Sequence, residues 1–159
     1  MPDLFRFSKK SLLAQSFLCS FKVMGTTFSS AEQYMMAQKA LIFKDTETYE
    51  KIIKETDYET LKALGRSVKN FDKKIWDTEC EGIVYEANKA KFTQNLDLYL
   101  YLLQTHGLEL FFYSEDPIWG IGLPEDAVDT YNKETWKGQN KLGQILTRLR
   151  EHLISQIGY

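Results

Sequence analysis

Two stretches of this chain carry apolar residues at three- and four-residue spacing, the repeat that lines one face of an α-helix. The first runs Trp76, Cys80, Ile83 with Val84, Ala87, and Ala90 with Lys91. It predicts a helix from Lys73 to about Thr93, opened by Asp72 and weakened by Gly82. The second, Leu142, Ile145, Leu146, Leu149 and Leu153, predicts a closing amphipathic helix over residues 139–157. Ser29-x-x-Glu32 is a capping-box pattern ahead of a helix over 31–43, a stretch without Gly or Pro. Asp45 and Asp57 are placed to cap two short helices, the second stopped by Gly65 in a left-handed backbone. Residues 96–105 form a short apolar helix ending at Gly107. Residues 3–7 and 108–113 suit strands, and 17–28 reads as extended segments about a turn at Gly25. The sum is a helix-rich α+β fold with a small β-sheet, one domain over residues 1–159.

Residues 114–138 break the pattern. Pro117, Trp119, Gly120, Gly122, Pro124 and Trp136 crowd a stretch too long for a plain connection, and long loops of this kind are usually functional or disordered. Its two tryptophans argue against disorder.

Composition narrows the function classes. The chain is 43% hydrophobic with three prolines, which excludes a disordered or low-complexity protein. Twenty Lys and Arg against twenty-two Asp and Glu leave a net charge of −2, without the basic excess of a protein that coats nucleic acid or acidic membrane. A basic cleft inside a neutral protein remains open. Cys19 and Cys80 make no disulfide framework, and His106 and His152 have no zinc spacing, so no metal and no cofactor are expected. No apolar run is long enough to cross a bilayer. Lys9-Lys10 ahead of residues 11–19 has the outline of a signal peptide, but Asp3 and Arg6 precede it and Gln15 interrupts it. We read it as folded structure, and the protein as a cytoplasmic monomer without a membrane partner.

Five groups of residues carry candidate chemistry. Glu32, Met35 with Met36, and Lys39 share one helix face, so a carboxylate and an amine lie two turns apart on partly apolar surface, where each can tune the other. Equally, Glu32 at the third helical position would bond the Ser29 amide, with Lys39 solvated. Arg66, after Gly65, can grip an anion bidentately or simply complement the helix dipole. Asn88, Lys91, Phe92 and Gln94 can bind a ligand at a helix end or finish an ordinary helix, with Phe92 in the core or stacked on a base. Asp116, Trp119, Gly120 and Gly122 combine a carboxylate, an indole and close-approach glycines, which suits a sugar or nucleotide. Gly138, Asn140 and Gly143 open the last helix, whose amides are a natural phosphate seat or a plain turn, with Gly143 there only to allow close helix packing. No Ser-His-Asp triad, P-loop or dinucleotide fingerprint is present. Carboxylate chemistry on a glycosyl bond remains.

In this order the pieces resemble the YbiA-like, or NADAR, family of N-glycosidases. The resemblance is carried by residues 28–40 (FSSAEQYMMAQKA), Leu64-Gly65-Arg66, Phe71-Asp72 with Trp76, residues 91–95 (KFTQN), residues 116–123 (DPIWGIGL), and Trp136-x-Gly138-x-Asn140-x-Leu142-Gly143 with Arg148 or Arg150. It spans roughly Phe17 to Leu153. The chain departs from the family at Ser16-Phe17-Leu18, at Ala87 and in the strand before Asp116.

The resemblance implies hydrolysis of an N-glycosidic bond between ribose and an exocyclic amine. Two substrate types follow from it: guanine bearing ADP-ribose, in modified DNA or RNA, and phosphorylated intermediates of riboflavin synthesis. In one route Glu32 protonates the leaving nitrogen as an oxocarbenium ion forms; in the other the ribose opens and Lys39 forms a Schiff base at C1. The combined reading gives Glu32 the proton transfers, Lys39 the covalent step and Asp116 the orientation of the ribose. Arg66 and the helix start at Asn140 would hold phosphates, and Trp76 or Trp119 would stack on the base. The competing classes are a module that binds ADP-ribose without cleaving it and an interaction protein whose aromatics are core.

Overall fold

A computed structural model describes residues 3–158. Among these the order is β1 (Asp3–Phe7), β2 (Phe21–Val23), β3 (Thr26–Phe28), α1 (Ala31–Ile42), α2 (Thr46–Ile52), α3 (Tyr58–Arg66), α4 (Lys73–Thr93), α5 (Leu96–Gln104), β4 (Leu108–Phe112), a single 3-10 turn (Lys133–Thr135) and α6 (Lys141–Ser155). The class is α+β, as the apolar pattern implies. The strands form two separate two-stranded sheets, not one. The chain divides into two units, one of residues 18–95 and one of residues 3–17 with 96–158.

In the 18–95 unit, β2 and β3 form an antiparallel hairpin pairing Phe21 with Phe28. Met24 and Gly25 at its tip have φ of 51° and 85°, both left-handed, as a tight two-residue turn requires. Phe21 stacks on Phe28 at 5.9 Å, and Tyr34 of α1 meets Phe28 edge-on at 5.0 Å. These rings tie the hairpin to α1, which also packs against α2, α3 and α4.

Two expectations about this unit change. The N-cap of α1 is Ser30, whose hydroxyl accepts from the Gln33 amide at 3.0 Å. The reciprocal bond comes from Gln33, whose Oε1 accepts from the Ser29 amide at 2.7 Å. The box is thus shifted one residue, with Ser30 and Gln33 in the places expected of Ser29 and Glu32. Gly65 is not a left-handed stop either, because α3 continues through it to Arg66. A Cβ at Gly65 would overlap the Met36 thioether, so this glycine allows α1 and α3 to approach closely. Asp45 and Asp57 cap α2 and α3 as the sequence predicts. Hydrogen bonds from Thr48, then from the Lys69 amide, hold the Asp45 carboxyl at about 2. α4 runs unbroken past Gly82 from its Asp72 cap.

In the other unit, β1 and β4 pair in parallel, Asp3 opposite Leu108 through Phe7 opposite Phe112. Leu13 and Ala14, from the stretch with a signal-like outline, are buried there. α6 begins at Lys141, with Asn140 ahead of it at φ 50°. The Asn140 Oδ1 accepts from the Phe112 amide at 2.9 Å, and its Nδ2 donates to the Leu110 carbonyl at 3.1 Å. Asn140 therefore completes the outer edge of β4. Among the described residues no helix is long and apolar enough to cross a membrane.

Gly143 lies against this bridge, and a Cβ there would overlap both the Leu110 carbonyl and the Asn140 amide. Gly143→Ala is expected to destabilise the protein by about 3 kcal/mol, the upper range for overpacking against a neighbour that cannot yield. A lowered midpoint in chemical denaturation checks this; an unchanged midpoint would show that the contact relaxes freely.

Candidate active site

α1 sets the geometry of the site in the 18–95 unit. With the cap at Ser30, Glu32 occupies the second helical position and Lys39 lies seven residues on, two turns up the same face. Glu32 is buried and Lys39 half-buried. The Lys39 Nζ lies 4.7 Å from the centre of the Phe71 ring and 5.5 Å from that of Trp76. Those two rings flank the start of α4, Phe71 just before the Asp72 cap and Trp76 in its second turn. They are the positions of a hydrophobic staple, whose members fix how a chain enters a helix. Phe71 is held edge-on by Phe43 at 5.4 Å, and remains 46% exposed. Arg66, exposed at the end of α3, completes the group.

The electrostatics follow from burial. Loss of water pushes the Lys39 amine below the ordinary lysine value; the Glu32 charge offsets part of that and the Arg66 charge adds to it. An amine depressed in this way has more of its neutral, nucleophilic form at a given pH. Glu32, Lys39, Arg66 and Trp76 are thus brought together as the sequence suggests. Phe71 is the residue that site reasoning missed, although the staple spacing marks it.

The other α4 candidates serve elsewhere. Trp76 and Lys91 are fifteen residues apart on one helix, about 22 Å along its axis. Phe92 is completely buried, so it is a core residue and not a stacking plane. Gln94 accepts from the Lys22 amide and donates to the Lys22 carbonyl, each at 2.8 Å, clamping β2 to the end of α4. Lys91 is wholly buried with its Nζ 4.9 Å from the centre of the Phe92 ring. Burial pulls its amine down to about 8, against an opposing contribution from Cys19. The Cys19 thiol is raised by burial, with Lys91 drawing it the other way.

In the other unit, residues 114–138 are an ordered loop whose polar groups largely satisfy each other. Asp116 Oδ1 accepts from the amides of Ile118 and Trp119, at 2.8 and 2.9 Å. The Gly120 amide donates to Asp116 and that of Gly122 to Ser114, at 3.1 and 2.9 Å. Gly122 has φ 71°, and a Cβ on it would fall 2.7 Å from the Gly138 nitrogen. Gly120 and Gly122 therefore let two loop segments touch. The amides of Asn140, Lys141 and Leu142 donate to the carbonyls of Gly120, Ile118 and Trp119, at 2.8 to 3.1 Å. The phosphate seat expected at this helix start is filled by the loop's own backbone. Trp119 is half-buried, and Trp136 packs on Phe111 at 5.1 Å with its indole N–H on the Thr130 carbonyl.

The Lys39 environment predicts a titration. Glu32→Gln removes the charge that holds the ammonium in place, so the pH midpoint for labelling Lys39 with an amine-directed reagent should fall. Arg66→Gln removes an opposing charge, and the midpoint should rise. Peptide mapping of the labelled protein reads both; the same direction in both variants would contradict the arrangement.

Comparison with known proteins places this geometry in context. The profile of the NADAR domain matches residues 4–154. The N-glycosidase R617 of Acanthamoeba polyphaga mimivirus is 43% identical over 125 residues, covering 78% of this chain and 74% of that one. The N-glycosidase YbiA of Escherichia coli strain K12 is 32% identical over 133 residues, covering 83% and 74%. Its NMR structure superposes with a TM-score of 0.79 at 28% identity, over 100% of this chain and 90% of that one. The riboflavin biosynthesis protein VVA0006 of Vibrio vulnificus is 32% identical over 148 residues, which are 92% of this chain and 36% of that protein.

Proposed function

This chain belongs to the NADAR domain family, and from that membership we propose that it is an N-glycosidase cleaving ribose from an exocyclic amine, with ADP-ribosylated guanine as its substrate. The observation that carries this reading is the Lys39 amine, half-buried against Phe71 and Trp76 on the helix face that also bears the buried Glu32.

The chemistry follows in balanced steps. The substrate ribose opens as its ring oxygen takes a proton from the Glu32 carboxyl, leaving an iminium ion between C1 and the exocyclic nitrogen. The neutral Lys39 amine adds to C1, giving a carbon that bears both nitrogens. A proton passes from the lysine nitrogen to the base nitrogen, with Glu32 as carrier, and the base departs as its free amine. Lys39 remains joined to C1 as a protonated Schiff base. Water adds to this, releasing the sugar as its aldehyde and the lysine as its ammonium. Arg66, exposed beside the pair, offers a fork of donors to a phosphate.

A second reading has one observation in its favour, the similarity to the riboflavin biosynthesis protein of Vibrio vulnificus, and its substrate would be a phosphorylated aminopyrimidine riboside. The bond broken is of the same kind. The net charge of −2 is no obstacle to the first reading, because a single modified base and its pyrophosphate need no basic surface.

The test is incubation with an oligonucleotide carrying ADP-ribosylated guanine, beside the riboflavin intermediates, with release of the sugar followed chromatographically. Lys39→Ala should reduce turnover to background while ligand binding persists, and Glu32→Gln should cost about 10²- to 10⁴-fold. Borohydride added during turnover should join the sugar to Lys39. Full activity in Lys39→Ala would eliminate the covalent route, and binding without release would make the protein a reader of ADP-ribose.

A further inference from the structure

A lysine ammonium held over two aromatic faces occupies the surface on which a planar base would lie. Phe71 and Trp76 both present rings to the Lys39 Nζ, at 4.7 and 5.5 Å, and neither ring is buried. Phe71 is nearly half exposed, an unusual state for a phenylalanine braced by a second ring, Phe43. A ring face cannot hold a cation and a stacked base at once. We propose that Phe71, together with Trp76, is the seat of the leaving base, and that arrival of the base displaces Lys39 from these faces and so converts it from a stored cation into the attacking amine. The inference rests on the N-glycosidase reading above and adds the step that starts the reaction.

The balance of forces supports displacement. In the empty site the ring faces stabilise the ammonium, by an amount typical of cation–π contacts, and the Glu32 charge does the same. The base removes the first of these and excludes further water from an amine that burial already disfavours as a cation. The proton then goes from the Lys39 nitrogen to the Glu32 carboxylate, which passes it to the ring oxygen as the ribose opens and, ionised again, carries the second lysine proton to the leaving nitrogen. No other reactant is needed. The charged groups acting on Lys39 are Glu32 on its own helix and Arg66 on α3, while α4 and the residue before its cap contribute the ring faces. A base therefore activates the lysine only when seated, which keeps a reactive amine masked in the empty enzyme.

The measurement is the titration of the Lys39 Nζ by NMR in protein carrying isotope-labelled lysine. It is run alone, with saturating guanosine, with a diaminopyrimidine nucleoside, and with ribose 5-phosphate. A base should lower the Lys39 midpoint and the sugar phosphate, which lacks a ring to stack, should not. Phe71→Leu, which keeps the volume and loses the ring face, should lower the midpoint of the empty protein by about half a pH unit. In that variant the low-pH limb of kcat/KM should move with it, while the limb of kcat, set in the complex, stays where it is. A midpoint indifferent to both nucleosides, failure of both to bind at millimolar concentration, or equal movement of the two limbs in Phe71→Leu would overturn the proposal. Absence of turnover on either glycoside, with the midpoint still lowered by a base, would instead count against the N-glycosidase reading alone.

Discussion

Taking an amine out of water costs free energy unless something stabilises its charge, and the 18–95 unit is arranged around that constraint at Lys39. Three elements converge on it. α1 supplies the amine and a carboxylate two turns away, α3 supplies a guanidinium, and the entry to α4 supplies two ring faces. The arrangement depends on α1 and α3 crossing closely, which Gly65 permits by leaving room for Met36. It depends equally on the Asp72 cap and the flanking Phe71 and Trp76, which fix where α4 begins. The capping shift at Ser30 belongs to the same design. With Gln33 bonding the Ser29 amide and the Ser30 hydroxyl capping Gln33, the helix start is closed by Ser30 and Gln33 and not by Ser29 and Glu32.

The unit of residues 3–17 and 96–158 solves a different problem, that of holding a long loop without regular structure. Its glycines are not open amides waiting for an anion. They are points where backbone meets backbone, Gly122 against Gly138 and Gly143 against the Leu110 carbonyl. The loop carbonyls of Ile118, Trp119 and Gly120 in turn accept from the first amides of α6. A helix start and a glycine-rich loop, each of which can bind phosphate alone, here satisfy each other.

What was legible in the sequence was local. The span of α4, the caps at Asp45 and Asp57 and the turn at Gly25 follow from short-range rules, and the structure bears each of them out. The α1 cap was off by one because Ser29 and Ser30, and Glu32 and Gln33, offer two overlapping boxes that spacing cannot separate. Gly65 escapes the local rules for a deeper reason, while Gly143 has the close-packing role that was one of its two readings. A glycine that relieves a turn and one that admits a neighbouring helix look alike until the neighbour is known. Phe92 and Gln94 illustrate the same limit. An aromatic and an amide at a helix end have the composition of a binding site, and only the hairpin packed beside them shows the core position and the clamp on Lys22.

On the function proposed above, the grouping around Lys39 suits more than one substrate of the same bond type. The bond from ribose C1 to an exocyclic nitrogen is common to a modified guanine and to a riboflavin intermediate, and so is the flat base beyond it. On that reading an amine, a carboxylate and two ring faces meet only those shared features. They are indifferent to whether the 5′ side of the ribose ends in one phosphate or in a pyrophosphate and adenosine. Discrimination must then come from groups that meet the phosphate end, and the residues with freedom to differ there are exposed ones such as Arg66, which support neither a cap nor a core. On that reading the reacting pair is held on one face of α1, buried at Glu32 and half-buried at Lys39, while substrate choice is left to the surface, where substitution costs the fold little.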